Sequence, residues 1–166
     1  MAASGPKKRL GLDSNILFDL AKELDLAHDF RLTFQGAGYS LTASPTVFRE
    51  LGFAALYSTG LHQVLAQKAV AEAAGWGILT FSLSSVEDGI AERFSLQLRD
   101  KGLRPEDEAN DGVILGETAL AEVPLLVTSD KHLLDLDEDA MLLAFQEADL
   151  WPVHPVHPKR LLKALR

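Results

Sequence analysis

"LLVTSDKHLL", Leu125 to Leu134, is the stretch on which the fold turns. Its apolar run suits a strand buried within a sheet, and that strand leads directly into Asp130. The same arrangement occurs near the N-terminus. There "RLGLDSNILFDL" carries a short apolar strand into Asp13, and Ile16, Leu17, Leu20, Ala21 and Leu24 then recur at helical spacing, with Ser14 as the expected helix cap. One aspartate at a strand end is an ordinary turn residue. Two such junctions, far apart in the chain, call for a common explanation.

Between and beyond them, strands alternate with helices. "YSLTA" is β-prone and ends at Ser44-Pro45, where Ser as cap and Pro at the first helical position open "TVFRELGFAALYS". The alanine-rich "LHQVLAQKAVAEAAGWG" reads as a helix closed by Gly75 and Gly77. "ILTFSL" is a third strand, and Ser84 or Ser85 caps a helix through "VEDGIAERFSLQLRDKG". In "LRPEDEANDGVILGETALAE", Pro105 is expected to open a helix with an acidic first turn. "DEDAMLLAFQEA" is too short for its period to decide between helix and strand. "LWPVHPVHP" has three prolines, so if extended it belongs at a sheet edge, and "KRLLKALR" is a short terminal helix. The alternation predicts an α/β fold with a parallel central sheet flanked by helices on both faces.

At 166 residues the chain suits a single domain, with residues 1–8 flexible and about 52–77 a helical elaboration. A 47% hydrophobic composition with only 7% aromatic residues predicts an aliphatic core. No apolar run reaches the roughly 18 residues of a membrane span, and "MAASGPKKRLGL" lacks the apolar centre of a secretory leader, so a cytoplasmic protein without membrane association is expected. The absence of cysteine excludes disulfides, thiolate metal sites and a cysteine nucleophile. A formal net charge of −8 argues against gripping nucleic acid through bulk positive charge. It leaves room for a nucleic-acid enzyme, because acids gathered round a divalent cation reverse the local potential. The basic residues fall into three groups, Lys7 to Arg9, Arg93 to Arg104 and Lys159 to Arg166, which read as solvated helix and terminal residues.

In a parallel α/β sheet, ligands bind beyond the carboxyl ends of the strands. Asp13 and Asp130 fall there. Glu50 in "SPTVFREL" and Asp111 in "EANDGVIL" lie on helices that open at the same edge. Taken singly, each has a structural reading. Asp13 and Asp130 suit caps or turns, Glu50 a solvated helix position, and Asp111 a helix N-terminus that favours acids. Together, unpaired, the four would repel and raise one another's pKa, an arrangement that makes sense with cations. Carboxylate oxygens select Mg²⁺ or Mn²⁺, which can generate an attacking hydroxide and stabilise a leaving oxygen in phosphodiester hydrolysis. Asp107 and Asp111, four residues apart, would repel within the expected helix, which also favours a cation.

The ordered set "LDSNIL", "SPTVFREL", "NDGVILGETAL" and "LLVTSD" resembles the PIN-domain ribonucleases, including the VapC-type toxins of toxin–antitoxin pairs. The matching positions are Asp13 with Asn15, Glu50, Asp111 with Ile114 and Ala119, and Thr128 with Asp130. The resemblance runs from Leu10 to about Leu134, and "WPVHPVHPKRLL" looks like the family's final edge strand and helix. It implies a PIN-like three-layer sandwich and a Mg²⁺- or Mn²⁺-dependent endoribonuclease. Asp13, Asp111 and Asp130 would be metal ligands, directly or through water, and Glu50 a ligand or the residue positioning the attacking water. Asn15, Thr128 and Ser129 would orient the carboxylates. The implied partners are an RNA substrate, an antitoxin protein and a second copy of the chain. Extra length between Glu50 and Asp111, and Lys131 beside Asp130, depart from the compact toxins.

Other readings weigh less. A haloacid dehalogenase-type phosphatase needs a second acid two residues after its nucleophile, where this chain has Asn15, and a receiver domain needs an early acidic pair that "GLDSN" lacks. A PIN-like module that binds RNA or protein without hydrolysis is the alternative of another class. His154 and His157 would point opposite ways on an extended segment, and no third ligand lies nearby in sequence. Trp76 and Trp151 suit the core or an interface better than base stacking. "ALYSTGLHQVLAQKAV" offers an exposed helical face for a dimer or other partner.

Overall fold

The computed structural model describes residues 8–166. Along these the elements run β1 (Lys8–Leu12), α1 (Ser14–Ala21), α2 (Asp25–Gly36), β2 (Tyr39–Thr42), α3 (Pro45–Tyr57), α4 (Gly60–Glu72) and β3 (Ile78–Leu79). There follow α5 (Ser85–Asp100), α6 (Ala109–Leu120), β4 (Leu125–Val127), α7 (Lys131–Leu134), α8 (Glu138–Glu147), β5 (His154–Val156) and α9 (Pro158–Leu165). The expected flexible stretch lies outside the described residues apart from Lys8, which begins β1.

Among the described residues the strands form one five-stranded sheet in the order β3-β2-β1-β4-β5, with every pairing parallel. Helices on both faces complete the three-layer α/β sandwich. Consecutive residues of the central strands are buried, Leu10, Gly11 and Leu12 on β1 and Leu126 and Val127 on β4. Both faces are therefore covered, as in other parallel sheets. From β1 the chain winds outward through β2 to β3, then returns to the other side of β1 as β4 and continues to β5. The winding reverses between β1 and β4, and at such a switch point the loops part to leave a crevice at the carboxyl edge. Asp13 and Asp130 follow those two strands. The Asp13 backbone N–H donates to Val127 O at 2.9 Å, which locks the two strand ends together.

Several local expectations need correction. The first helix stops at Ala21 because Glu23 turns into the left-handed region at φ 59°, so Leu24 is 45% exposed at the entrance to α2. Helix α2 was outside the sequence expectation, although Ala27, Phe30 and Phe34 recur at spacings of three and four and are all buried. Its remaining residues are largely polar, which obscures the apolar face. Strand β3 is shorter than "ILTFSL": Leu79 O accepts from Ala43 N at 2.8 Å, and the chain then leaves the sheet.

Helix α6 starts at Ala109 rather than at Pro105. The buried Arg104 guanidinium takes the carbonyls of Pro105 (2.6 Å) and Glu106 (3.3 Å), which holds that segment as a loop. Asp107 consequently precedes the helix, and its expected intrahelical repulsion with Asp111 does not arise. "DEDAMLLAFQEA" resolves as helix α8, its N-terminus capped by Asp137 accepting from Ala140 N at 3.0 Å. Ser84 caps α5 through a reciprocal bond pair with Glu87.

Close packing of α6 on α5 brings the site together. A Cβ on Gly112 would lie 2.4 Å from Ser95 Oγ and 2.8 Å from Ser95 Cα, and one on Gly116 would lie 3.0 Å from Ala91 Cα. Glycine at both positions lets the helices approach further than any side chain would allow. Strand β5 is the sheet edge and accommodates Pro155, as its prolines require.

Candidate metal centre

Asp13 caps α1 itself: its Oδ1 accepts from Ser14 N at 2.8 Å, so the expected cap residue, Ser14, is the first residue of the helix. The other oxygen, Oδ2, accepts from Thr128 Oγ1 at 2.9 Å and Asn15 Nδ2 at 3.2 Å. Thr128 is fully buried, and its hydroxyl also accepts from Asn15 Nδ2 and from Asp130 N, each at 3.0 Å. Asn15 Oδ1 in turn accepts from Ser129 N at 3.1 Å. One threonine hydroxyl thus ties together the aspartates that follow β1 and β4. Ser129 joins this network through its backbone N–H.

Glu50 lies on α3, where its Oε2 accepts from Ser14 Oγ at 3.2 Å and the Asn110 side chain is a further partner. Asp111 is in the first turn of α6. Asp130 caps α7, its Oδ1 accepting from His132 N at 2.9 Å. Capping engages one oxygen of that carboxylate and leaves the other available, so the structural and ligand readings of Asp130 are compatible.

The tightest group is a triad. Glu108, Asp111 and Asp130 each offer an oxygen within 4.8 Å of the other two. Asp13 and Glu50 stand beside it, close enough for the Asp13 charge to raise the pKa of both Glu50 and Asp111. Glu108 is thus a neighbour that the sequence reading did not place in the site. Its spacing of three from Asp111 was the available clue, since residues three apart on a helix share a face. Here that closeness survives although Glu108 only caps the helix.

The electrostatics are those of crowded carboxylates. Burial chiefly, then the Asp13 charge and a hydrogen bond with Glu108, push Asp111 up to about 8. Burial raises Asp13 in spite of its three donors, with the Asp130 charge adding to the shift, and burial followed by the Asp13 charge raises Glu50. An open cleft of about 640 Å³ lined by Glu50, Glu108, Asn110 and Asp111, with Arg49 and Phe53 at its sides, leads to this group. Three carboxylate oxygens within 4.8 Å of one another, with Asp13 near enough for its charge to be felt, fit a hard divalent cation that retains part of its water shell.

Glu117, also outside the sequence expectation, is fully buried on α6 and accepts from Thr46 N at 3.1 Å. It occupies one of the free N–H groups at the start of α3, the helix that carries Glu50. The two histidines of "VHPVHP" do not form a site: His154 is exposed on the edge strand, and His157 Nδ1 accepts from Lys159 N at 3.1 Å to cap α9. Trp76 is buried, whereas Trp151 is 65% exposed. Phe53, Leu56, Tyr57 and Leu61 leave an exposed apolar face across α3 and α4.

No protein-family model matches the chain, and neither does any curated protein sequence. Solved structures do match. The chain is similar to a structure of VapBC2 from Rickettsia felis bound to a promoter DNA fragment, with 17% identity, a TM-score of 0.60 and coverage of 90% of this chain and 98% of that one. It is similar to VapBC-1 from nontypeable Haemophilus influenzae at 16% identity and a TM-score of 0.57, covering 91% and 98%. FitAcB from Neisseria gonorrhoeae matches at 16% identity and a TM-score of 0.51, covering 90% and 97%. At these identities the likeness is one of fold, the three-layer α/β sandwich described above.

Proposed function

We propose that this protein is a divalent-metal-dependent endoribonuclease acting as the toxin of a toxin–antitoxin pair. The observation that carries the reading is the convergence of Asp13, Glu50, Glu108, Asp111 and Asp130 at the one edge where the sheet reverses its winding. Asp111 and Asp130, with Glu108, would hold Mg²⁺ or Mn²⁺, and Asp13 would contribute directly or through water. When bound, such an ion lowers the pKa of water and offsets charge on the scissile phosphate. Thr128 and Asn15 fix the Asp13 carboxylate, and Thr128 fixes the Asp130 backbone, so both acids are held in place before any ligand arrives. Glu50, raised in pKa and held by Ser14, is suited to accept a proton from the attacking water. Arg49 beside the cleft offers a cation for an adjoining phosphate.

The solved structures of similar fold are VapBC and FitAB assemblies, which supports an antitoxin as partner. The exposed apolar face on α3 and α4 provides a surface for that protein or for a second copy. Among the described residues no helix is long and apolar enough to cross a membrane, and a cytoplasmic location, where RNA is met, belongs to this reading. The test is cleavage of a mixed-sequence single-stranded RNA in Mn²⁺, with EDTA and the Asp111→Asn protein as controls. Cleavage that EDTA and the substitution both abolish is expected. Equal cleavage by wild type and variant would overturn the assignment.

A further inference from the structure

Beside the carboxylate triad is a second cleft of about 280 Å³, whose lining does not include Glu50. It shares Glu108 and Asp111 with the first, so anything bound in it lies against the site. Its walls are apolar: Leu98 and Leu115 from α5 and α6, Leu133 from α7, and Leu103 and Leu136 from the flanking loops. The volume is just under the roughly 300 Å³ at which pockets for small organic ligands begin, so it suits one flat ring system rather than a length of chain.

Arg104 also lines this cleft and is only 8% exposed. Its Nε donates to Ser95 O (3.0 Å) and Ser95 Oγ (2.9 Å), while Nη1 is taken by the carbonyls of Pro105 and Glu106. Nη2 has no protein acceptor among the described residues. It is the nitrogen left to donate to a ligand, on a guanidinium whose position is already fixed. Sequence-selective proteins read single-stranded RNA by receiving unstacked bases in apolar or aromatic sites and bonding their edges. An arginine donor selects an acceptor edge, and guanine presents two adjacent acceptors, O6 and N7, where adenine pairs an acceptor with a donor.

We propose that this cleft receives one unpaired guanine of the RNA strand, next to the phosphate held at the carboxylates, with Arg104 donating to the base's acceptor edge. The inference rests on the ribonuclease reading for its substrate, and it makes cleavage dependent on the base beside the scissile bond. A buried protein side chain is the other conceivable occupant, but the fixed guanidinium beside leucine walls favours a ring with acceptors over an aliphatic group.

The test is equilibrium binding of 5′-labelled hexamers UUXUUU (X = G, A, C or U) to the full chain, measured by fluorescence anisotropy at low salt in Ca²⁺, a hard cation for the carboxylates, with the RNA checked intact on a gel afterwards. Leu136→Trp, at a half-buried position, fills the cleft. Arg104→Lys keeps the charge but changes the donor geometry. The expected result is that the guanine hexamer binds at least about fivefold more tightly than the other three, and that both variants bring all four within about twofold of one another. Equal binding of the four to wild type, preference for another base, or a guanine preference that survives Leu136→Trp would overturn the proposal and leave the cleft to a protein segment. Cleavage in Mn²⁺, run in parallel, separates the two readings. Guanine-selective binding without cleavage would keep the pocket and remove the nuclease, and cleavage without base selectivity would do the reverse.

Discussion

Replacing Asp111 with Asn should stabilise the metal-free protein and remove its response to metal. The oxygens of Glu108, Asp111 and Asp130 lie within 4.8 Å of one another. At that separation and an effective dielectric constant of about 20, one like-charge pair costs about 3.5 kcal/mol. Asp111 is half-buried, so solvent screening brings the realised cost down to roughly 1–2 kcal/mol. An asparagine removes that charge and can still donate to Glu108, as a protonated Asp111 would.

The pH dependence has a definite sign. Because the Asp111 pKa is raised from 3.8 to about 8 on folding, the native state is favoured by its protonated form, and stability is lost as pH rises through that window. The variant has no such loss. Its advantage over wild type should be absent near pH 3.8, grow with pH and level off above about 8. Thermal unfolding followed by circular dichroism in EDTA at pH 8.5 should then show Asp111→Asn melting about 3–6 °C higher than wild type. In Mn²⁺ at about 100 times its dissociation constant, wild type should gain about 2.7 kcal/mol and the variant much less, which reverses the order. A variant that melts at or below wild type in EDTA, or that gains as much from Mn²⁺, would refute the reasoning.

Thr128→Val removes the hydroxyl that donates to Asp13 and accepts from Asn15 and Asp130, so urea titration should show a loss of about 2–4 kcal/mol. An unchanged midpoint would mean that the network contributes little. Gly112→Ala should cost about 1–3 kcal/mol and weaken Mn²⁺ binding, because its Cβ would meet Ser95 Oγ at 2.4 Å and force α6 away from α5. Gly89→Ala, where nothing lies within 4 Å, is the neutral or stabilising control in the same chemical unfolding series. Mn²⁺ affinity should rise between pH 6 and about 8 as the Asp111 proton becomes easier to displace, with net proton release detectable by calorimetry in buffers of different ionisation enthalpy. Affinity independent of pH over that range would contradict this linkage.

The strand-to-aspartate junctions were legible in the sequence because each couples a buried apolar run to a polar stop, and parallel-sheet topology turns two such stops into neighbours. Asn15 and Thr128 were legible only through the resemblance of "LDSN" and "VTSD" to the PIN-domain pattern. Helix α2 was not, because only Ala27, Phe30 and Phe34 mark its buried face among polar residues. The start of α6 was obscured for a different reason. Pro105 is a good first helical residue, and only the tertiary placement of Arg104, with its guanidinium on the following carbonyls, keeps that segment out of the helix. The same loop brings Glu108 to the triad, so both the late helix start and the extra carboxylate follow from the bonds of one buried guanidinium, to the next two carbonyls and back to Ser95, that apolar periodicity does not encode. Glu117 is similar: its buried carboxylate is explained by the N-terminus of α3, 71 residues away in the chain.

The central claim is that the carboxylates direct water, with metal, at an RNA phosphate. The most direct measurement is the chemistry of the new ends in RNA cut by the protein in Mn²⁺, read by mass spectrometry. Attack by water is expected to leave a 3′-hydroxyl facing a 5′-phosphate, with oxygen-18 from the solvent in the phosphate. A 2′,3′-cyclic phosphate would mean that the RNA's own 2′-hydroxyl had attacked, and would contradict the account.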